Sequence, residues 1–447
     1  MSLLSPASGA PVPTPTEPAP TQPTQPTQQA PGDPVATATR LDAPQVTLRR
    51  PAALTARVTV QGGGQPPAGG VVRFEQQTVG GWIVLGDAGL DASGTAVITA
   101  TFTTNPIALR ATYLGVEGYA SSTSAPIVVA GAQQPTTVGL DAPRSVKDER
   151  TLRIAARVTT PYSVVPGAAV TVQVYRDKKW RTLGTARTND AGVATVSSKP
   201  RVTYKYRAIV AAGDWYTGAR SSTVTVTNVP PGKVVKLPSK APKPRKLPAQ
   251  PRASGDGPNP SVSTISDPVW KSMKGRSWRA GCPVGRSQLR LVRINYWGFD
   301  GYRHRGELVV HRSITGKTVR AFSDLYRHKV PIRAMYRVDR FGYSKRLRGA
   351  NDYASMAADN TSAFNCRDVI GRKGVRSPHA YGRAIDINTF ENPYRYRAGK
   401  WVPNTWWRNK AAGTYAWTKR SHRVPTIMRR HGFRWPYGKI DGQHFSG

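Results

Sequence analysis

The segment Ser377-Pro-His-Ala-Tyr-Gly-Arg-Ala-Ile-Asp-Ile-Asn388 decides how the last part of this 447-residue chain folds. Gly382 permits a turn after His379, because glycine enters the left-handed backbone region at little cost. The residues that follow, Ala384 to Asn388, alternate as a strand does. Ile385 and Ile387 then face a core, and Ala384, Asp386 and Asn388 share the other face. A carboxylate on such a strand, with an imidazole folded back over it, brings an oxygen and a nitrogen to one point.

Two ligands do not hold a metal. The third candidate is His444, from Ile440-Asp-Gly-Gln-His-Phe445 near the far end of the chain. His379, Asp386 and His444 with an open fourth position make the ligand set of a catalytic rather than a structural zinc site. Asp441 stands three residues before His444 across a flexible Asp-Gly step and is the candidate general base. The spacings alone are weak evidence, since a structural His–Asp hydrogen bond uses the same residues; the flanking residues carry more weight. All seven histidines lie in this region. His304 and His311 read as sheet residues first and as outer support of a metal second, and Ser377 as a turn cap or a ligand-orienting group.

Around these motifs the sequence mixes two periods. Leu289–Tyr296 and Gly306–His311 read as strands, and 418–432 as a helix started or interrupted by Pro425 and ended by Gly432. An α+β domain over 263–447 is predicted. The only cysteines, Cys282 and Cys366, are too far apart for a metal-thiolate motif. Pairing them would close a loop worth roughly 4 kcal/mol; two buried free thiols are the alternative. Most aromatic residues here read as core, with arginines covering some of them.

Upstream, β-branched runs are bounded by Gly, Pro, Asn and Asp, and the text occurs twice. Leu41-Asp-Ala-Pro44 returns at 140–143, Leu54-Thr-Ala-Arg-Val58 as Ile154-Ala-Ala-Arg-Val158, and Trp82 with Leu85-Gly86 as Trp180 with Leu183-Gly184. A repeat of this size with frequent short strands predicts two all-β Ig-like sandwiches, over 41–132 and 135–228, without a disulfide between their sheets. The two modules resemble bacterial Ig-like domains that act as spacers on secreted wall proteins, and the resemblance implies a spacer or weak wall adhesion. Residues 1–40, rich in Pro, Thr and Gln, are expected to be a disordered arm. Residues 229–262 alternate Pro with Lys and Arg and are expected to be a semi-extended basic linker.

The chain has 65 Lys+Arg against 25 Asp+Glu, a formal charge of +40, of which +26 falls in 261–447 and +6 in 229–260. Such an excess points to a polyanionic partner. No apolar run is long enough for a membrane helix. The start, Met1 to Ala10, does not read as a signal peptide, so an export signal is expected to lie outside this sequence.

The stretch 377–388 together with Asp441-Gly-Gln-His-Phe445 resembles the SxHxxGxAxD and (E/D)xxH motifs of the zinc D-alanyl-D-alanine carboxypeptidases, the VanY-like peptidases related to L-alanyl-D-glutamate endopeptidases. The similarity extends through 298–311 and 355–367, so it covers roughly residues 285–447. It implies an α+β fold of the hedgehog/DD-peptidase type, Zn2+ held by His379, Asp386 and His444, and Asp441 as base where many members carry Glu. Arg367 falls where such enzymes offer an arginine to substrate. The resemblance implies an extracellular or wall-bound hydrolase acting on peptidoglycan stem peptides; the cation excess predicts adherence to anionic wall polymers, and a monomer is expected. An L-alanyl-D-glutamate-type endopeptidase is the nearest alternative. A non-catalytic cationic protein binding wall polymer or nucleic acid is a third reading, although no helix-turn-helix, RNP stretch or zinc finger is visible.

Overall fold

The computed structural model describes residues 32–369, 372–396 and 399–447. Most of the expected disordered arm, 1–31, lies outside the described residues. The arm ends earlier than expected: Thr37–Asp42 is already a strand, paired antiparallel with Pro51–Val60. Its Thr-Ala-Thr-Arg-Leu alternation buries Thr37 and Leu41 and so holds a sheet edge.

The described chain divides into two units, one up to Thr136 with Ala212–Gly218, the other Thr137–Ala211 with Ala219–Gly447. In the first, Pro51–Val60 lies between Thr37–Asp42 and Thr95–Thr101, and a second sheet is built on Gly81–Gly89, Val71–Thr78 and Ile107–Tyr113. Leu54, Val58, Phe74 and Leu109 are fully buried. Each such side chain contributes about 1.5–3 kcal/mol by leaving water.

The second unit begins with the same arrangement. Leu152–Thr159 lies between Thr137–Asp141 and Val193–Ser198, and the other sheet runs through Ala169–Arg176, Lys179–Arg187 and Tyr204–Val210. The repeated Leu-Gly pair marks a β-bulge in each copy. Register slips between Phe74 and Glu75 opposite Gly86, and between Val172 and Gln173 opposite Gly184, leaving Leu85 and Leu183 as the extra residues. The repeated tryptophans are covered: Arg110 lies 4.3 Å over Trp82 and Arg207 lies 4.3 Å over Trp180.

Beyond residue 260 the sheet gives way to mixed structure. Leu289–Trp297 and Arg303–His311 form one antiparallel ladder. Helices Thr315–Arg327 and Arg423–Arg430 place Phe322, Leu325, Ile427 and Met428 in one core with Ile294, Leu308 and Val310. The second helix starts five residues later than the sequence pattern suggests. Pro425 falls in its first turn, where a missing N–H costs nothing. A short ladder, Ala384–Asp386 against His444–Ser446, adds Ile385 and Phe445 to the same core. Cys282 and Cys366 are disulfide-bonded, with Cα atoms 6.0 Å apart. No helix among the described residues is long and apolar enough to cross a membrane.

The basic segment after residue 229 is not a free linker. Leu237 and Ala241 pack with Phe390 and Trp407. The Tyr336 hydroxyl donates to the Pro248 carbonyl at 2.6 Å, and Gln250 both accepts from the Met335 N–H (2.7 Å) and donates to the Met335 carbonyl (2.9 Å). Prolines leave this segment already extended, so laying it along a surface costs little further chain entropy. The apolar residues between the lysines supply the adhesion.

Candidate metal centre and active site

Local sequence sets His379. The Ser377 hydroxyl accepts from the His379 N–H at 3.4 Å and opens a single helical turn, Pro378–Tyr381. Gly382 closes that turn at φ +67°, and its carbonyl accepts from the His311 N–H at 2.7 Å. Ser377 is therefore a turn cap. His311 supports the site through its backbone, while its ring bonds the Ser313 hydroxyl at 2.7 Å.

Tertiary pairing brings the other two groups in. Asp386 stands directly opposite His444 in the short ladder, so two residues far apart in sequence become cross-strand neighbours. The backbone of Asp386 is also bonded in both directions to Ser362, at 2.8 and 3.0 Å. His379 Nε2 lies 3.1 Å from Asp386 Oδ2, His444 Nδ1 lies 3.2 Å from Asp386 Oδ1, and the two ring nitrogens are 3.1 Å apart. All three residues are buried, and one donor atom from each lies within 4.8 Å of the others.

The donor set fits a zinc ion. His379 Nδ1 sits 2.7 Å from the Ala363 carbonyl, which only accepts, so this nitrogen carries the proton and Nε2 offers a lone pair toward Asp386. His444 ties its Nε2 to the Ser446 hydroxyl at 3.1 Å and likewise turns Nδ1 inward. Burial opposes the Asp386 charge, but the imidazoles of His379 and His444 outweigh it and hold the carboxyl well below the usual range. The site thus keeps an anion between two inward-facing nitrogens, which suits a divalent cation.

The three residues line a cavity of about 500 Å3, together with Asp441 and Arg367. Asp441 Oδ1 is buried without a hydrogen-bond partner among the described residues. Burial pushes this carboxyl up to about 7, against the lowering pull of His444 and Arg367 and with a further push from Asp386. Arg367 is buried, and its guanidinium meets Asp352 at 2.8 Å and the Asp368 carbonyl at 3.1 Å. His304 is not part of the site; it pairs with Asp300 at 2.9 Å beside the docked basic segment.

Met356, Tyr394, Tyr437 and Ile440 wall the cavity, and the Tyr437 ring lies 5.3 Å from that of His444. Sequence reasoning missed these four, because nothing in their spacing separates a cavity wall from core. The Ala363 carbonyl that orients His379 was equally invisible, since a backbone group leaves no mark on residue type.

No curated protein matches this chain in sequence. Among solved structures, an adhesin, InvE, of Yersinia pseudotuberculosis is 19% identical, with a TM-score of 0.24, and covers 42% of this chain and 58% of its own. A tetra-tandem repeat from the extending region of a large adhesion protein is 11% identical, with a TM-score of 0.27, covering 62% of this chain and 63% of its own. The D0-D1 domain of intimin is 15% identical, with a TM-score of 0.17, covering 43% and 97%. This chain thus spans less than two thirds of the InvE chain. Residues 370–447, which hold His379, Asp386, Asp441 and His444, match the family model described as D-alanyl-D-alanine carboxypeptidase, peptidase family M15, and this match supports a peptidase domain at the C-terminal end of the chain.

Proposed function

We propose that the C-terminal domain is a zinc-dependent peptidase acting on peptidoglycan stem peptides, with removal of a terminal D-alanine as the preferred reaction. The observation that carries this reading is the convergence of His379, Asp386 and His444 in a cavity also lined by Asp441, inside the segment that resembles carboxypeptidases.

His379, Asp386 and His444 would hold the zinc. Bound zinc supplies Lewis acidity, which polarises the scissile carbonyl and makes water acidic enough to attack near neutral pH. The chain's own residues do the rest. Asp441 takes a proton from the attacking water and returns it to the leaving amine. A carboxylate held near neutrality by burial suits both transfers. Arg367, its fork fixed by Asp352, offers positive charge to the peptide carboxylate. Tyr394 and Tyr437 line the cavity beside these groups.

The cation excess supports retention by anionic wall polymers, and the two β modules read as the spacers of an extracellular protein working as a monomer. Chelator is expected to abolish release of D-alanine from purified wall, and zinc to restore it. Asp441→Asn should keep equimolar zinc and lose turnover by at least a hundredfold. Purified protein without stoichiometric metal would sink the proposal.

A further inference from the structure

A second cavity, of about 230 Å3, adjoins the catalytic one, and Pro436 lines both. Its rim carries Arg420, Arg429 and Arg434, all exposed, over a floor that includes Phe433 and Trp435. No carboxylate among the described residues lines it. Among the described residues, none of the three guanidiniums makes a hydrogen bond or an ion pair. Some arginines of this domain are matched, Arg333 to Asp359 and Glu391, Arg367 to Asp352, and the neighbouring Arg430 to Asp324; what sets Arg420, Arg429 and Arg434 apart is that they line one cavity together. Three like charges around one small cavity repel one another, and an anion between them relieves that repulsion.

Part of the cavity lining is hydrogen-bonded to the segment that carries His444. Arg434 pairs through its backbone with Ser446, two residues beyond His444, in both directions at 2.7 and 2.9 Å. Trp435 Nε1 donates to the Gly442 carbonyl at 2.9 Å, within the Asp441–His444 loop. The backbone of Arg434 is therefore joined to the strand that carries His444.

We propose, resting on the peptidase reading above, that this cavity is a substrate subsite for a free carboxylate carried on the peptide some residues away from the scissile bond. Arginine forks match a carboxylate in shape and charge, and continuity past Pro436 makes the occupant part of the same substrate.

The test uses the stem pentapeptide L-alanyl-γ-D-glutamyl-L-lysyl-D-alanyl-D-alanine and the same peptide with its D-glutamate α-carboxylate converted to the amide. With the zinc-loaded full chain, kcat/KM for the free acid should exceed that for the amide about tenfold, as expected for one charge-assisted bond pair. Arg429→Gln with Arg434→Gln should bring the ratio close to one, mainly through KM. Lysine at both positions should restore only part of it, because the charge returns without the fork. Arg320→Gln, an exposed arginine elsewhere in the domain, should leave the ratio as in the parent.

Peptide affinity is measured separately on Asp441→Asn, so the subsite can fail while the peptidase reading stands, and the reverse. Cleavage of neither peptide counts against the peptidase reading, and the binding ratio then decides the subsite. An equal affinity for acid and amide, or a ratio that survives the double substitution, overturns it. So does competition by poly(glycerol phosphate) without any preference between the peptides, which would make the occupant a phosphodiester.

Discussion

Gly382→Ala tests how the site is built, because Gly382 joins the turn that carries His379 to the strand that carries Asp386. At φ +67° an alanine costs about 1–2 kcal/mol of backbone strain. A Cβ there would also lie 2.9 Å from the His311 backbone nitrogen, 3.2 Å from Leu289 Cδ2 and 3.3 Å from His311 Cβ. The first of these cannot yield easily, since His311 ends the long ladder opposite Leu289. Backing away would give up the 2.7 Å His311–Gly382 hydrogen bond, worth about 1 kcal/mol. The total is about 2–4 kcal/mol, or roughly 5–15 °C in Tm for a domain of this size.

Displacement of the turn should also carry His379 away from Asp386, so zinc content after dialysis should drop together with Tm. Gly413→Ala separates the two causes, for φ there is +58° with nothing within 4 Å of the added carbon. It should lose only about 1 kcal/mol and keep its zinc. A Gly382→Ala protein with the parent Tm and one bound zinc per chain would refute the reasoning.

Three other outcomes are expected. Replacing Cys282 and Cys366 by serine should lower stability by about 2–5 kcal/mol in urea titrations, because the bridge restricts a loop of 84 residues in the unfolded chain; an unchanged midpoint would show that the bond carries no stability. Gln250→Ala leaves the Met335 N–H without its partner and should cost about 1–3 kcal/mol, whereas a freely hanging linker would show no effect. Glu391, buried beside Asp359 and Arg333, is held well above the ordinary carboxylate range, by burial first and by the Asp359 charge second. Its folded form keeps a proton that the unfolded chain releases, so this stability is whole below about pH 4.5 and declines as pH rises toward the folded pKa. Glu391→Gln should remove that decline, gaining on the parent by up to about 1.4 kcal/mol per pH unit in equilibrium unfolding from pH 5 to 7. Parallel pH profiles would rule this out.

Short-range periodicity and local turn chemistry are legible in residue order alone. The duplicated Trp-x-x-Leu-Gly text foretold two like β modules, since each copy must place the same bulge in the same hairpin. The alternation of Ile385, Asp386 and Ile387 foretold a strand with its apolar residues in the core, and Gly382 the turn before it. Tertiary structure alone decided the rest. It set Asp386 opposite His444 by a strand pairing between segments 58 residues apart, aimed His379 with the Ala363 carbonyl, and joined Cys282 to Cys366. The basic segment went astray for a related reason: prolines and lysines signal an extended, solvated chain. Whether such a chain lies along a surface depends on Leu237, Ala241 and Gln250 finding partners more than 80 residues away, a long-range match that no local pattern records.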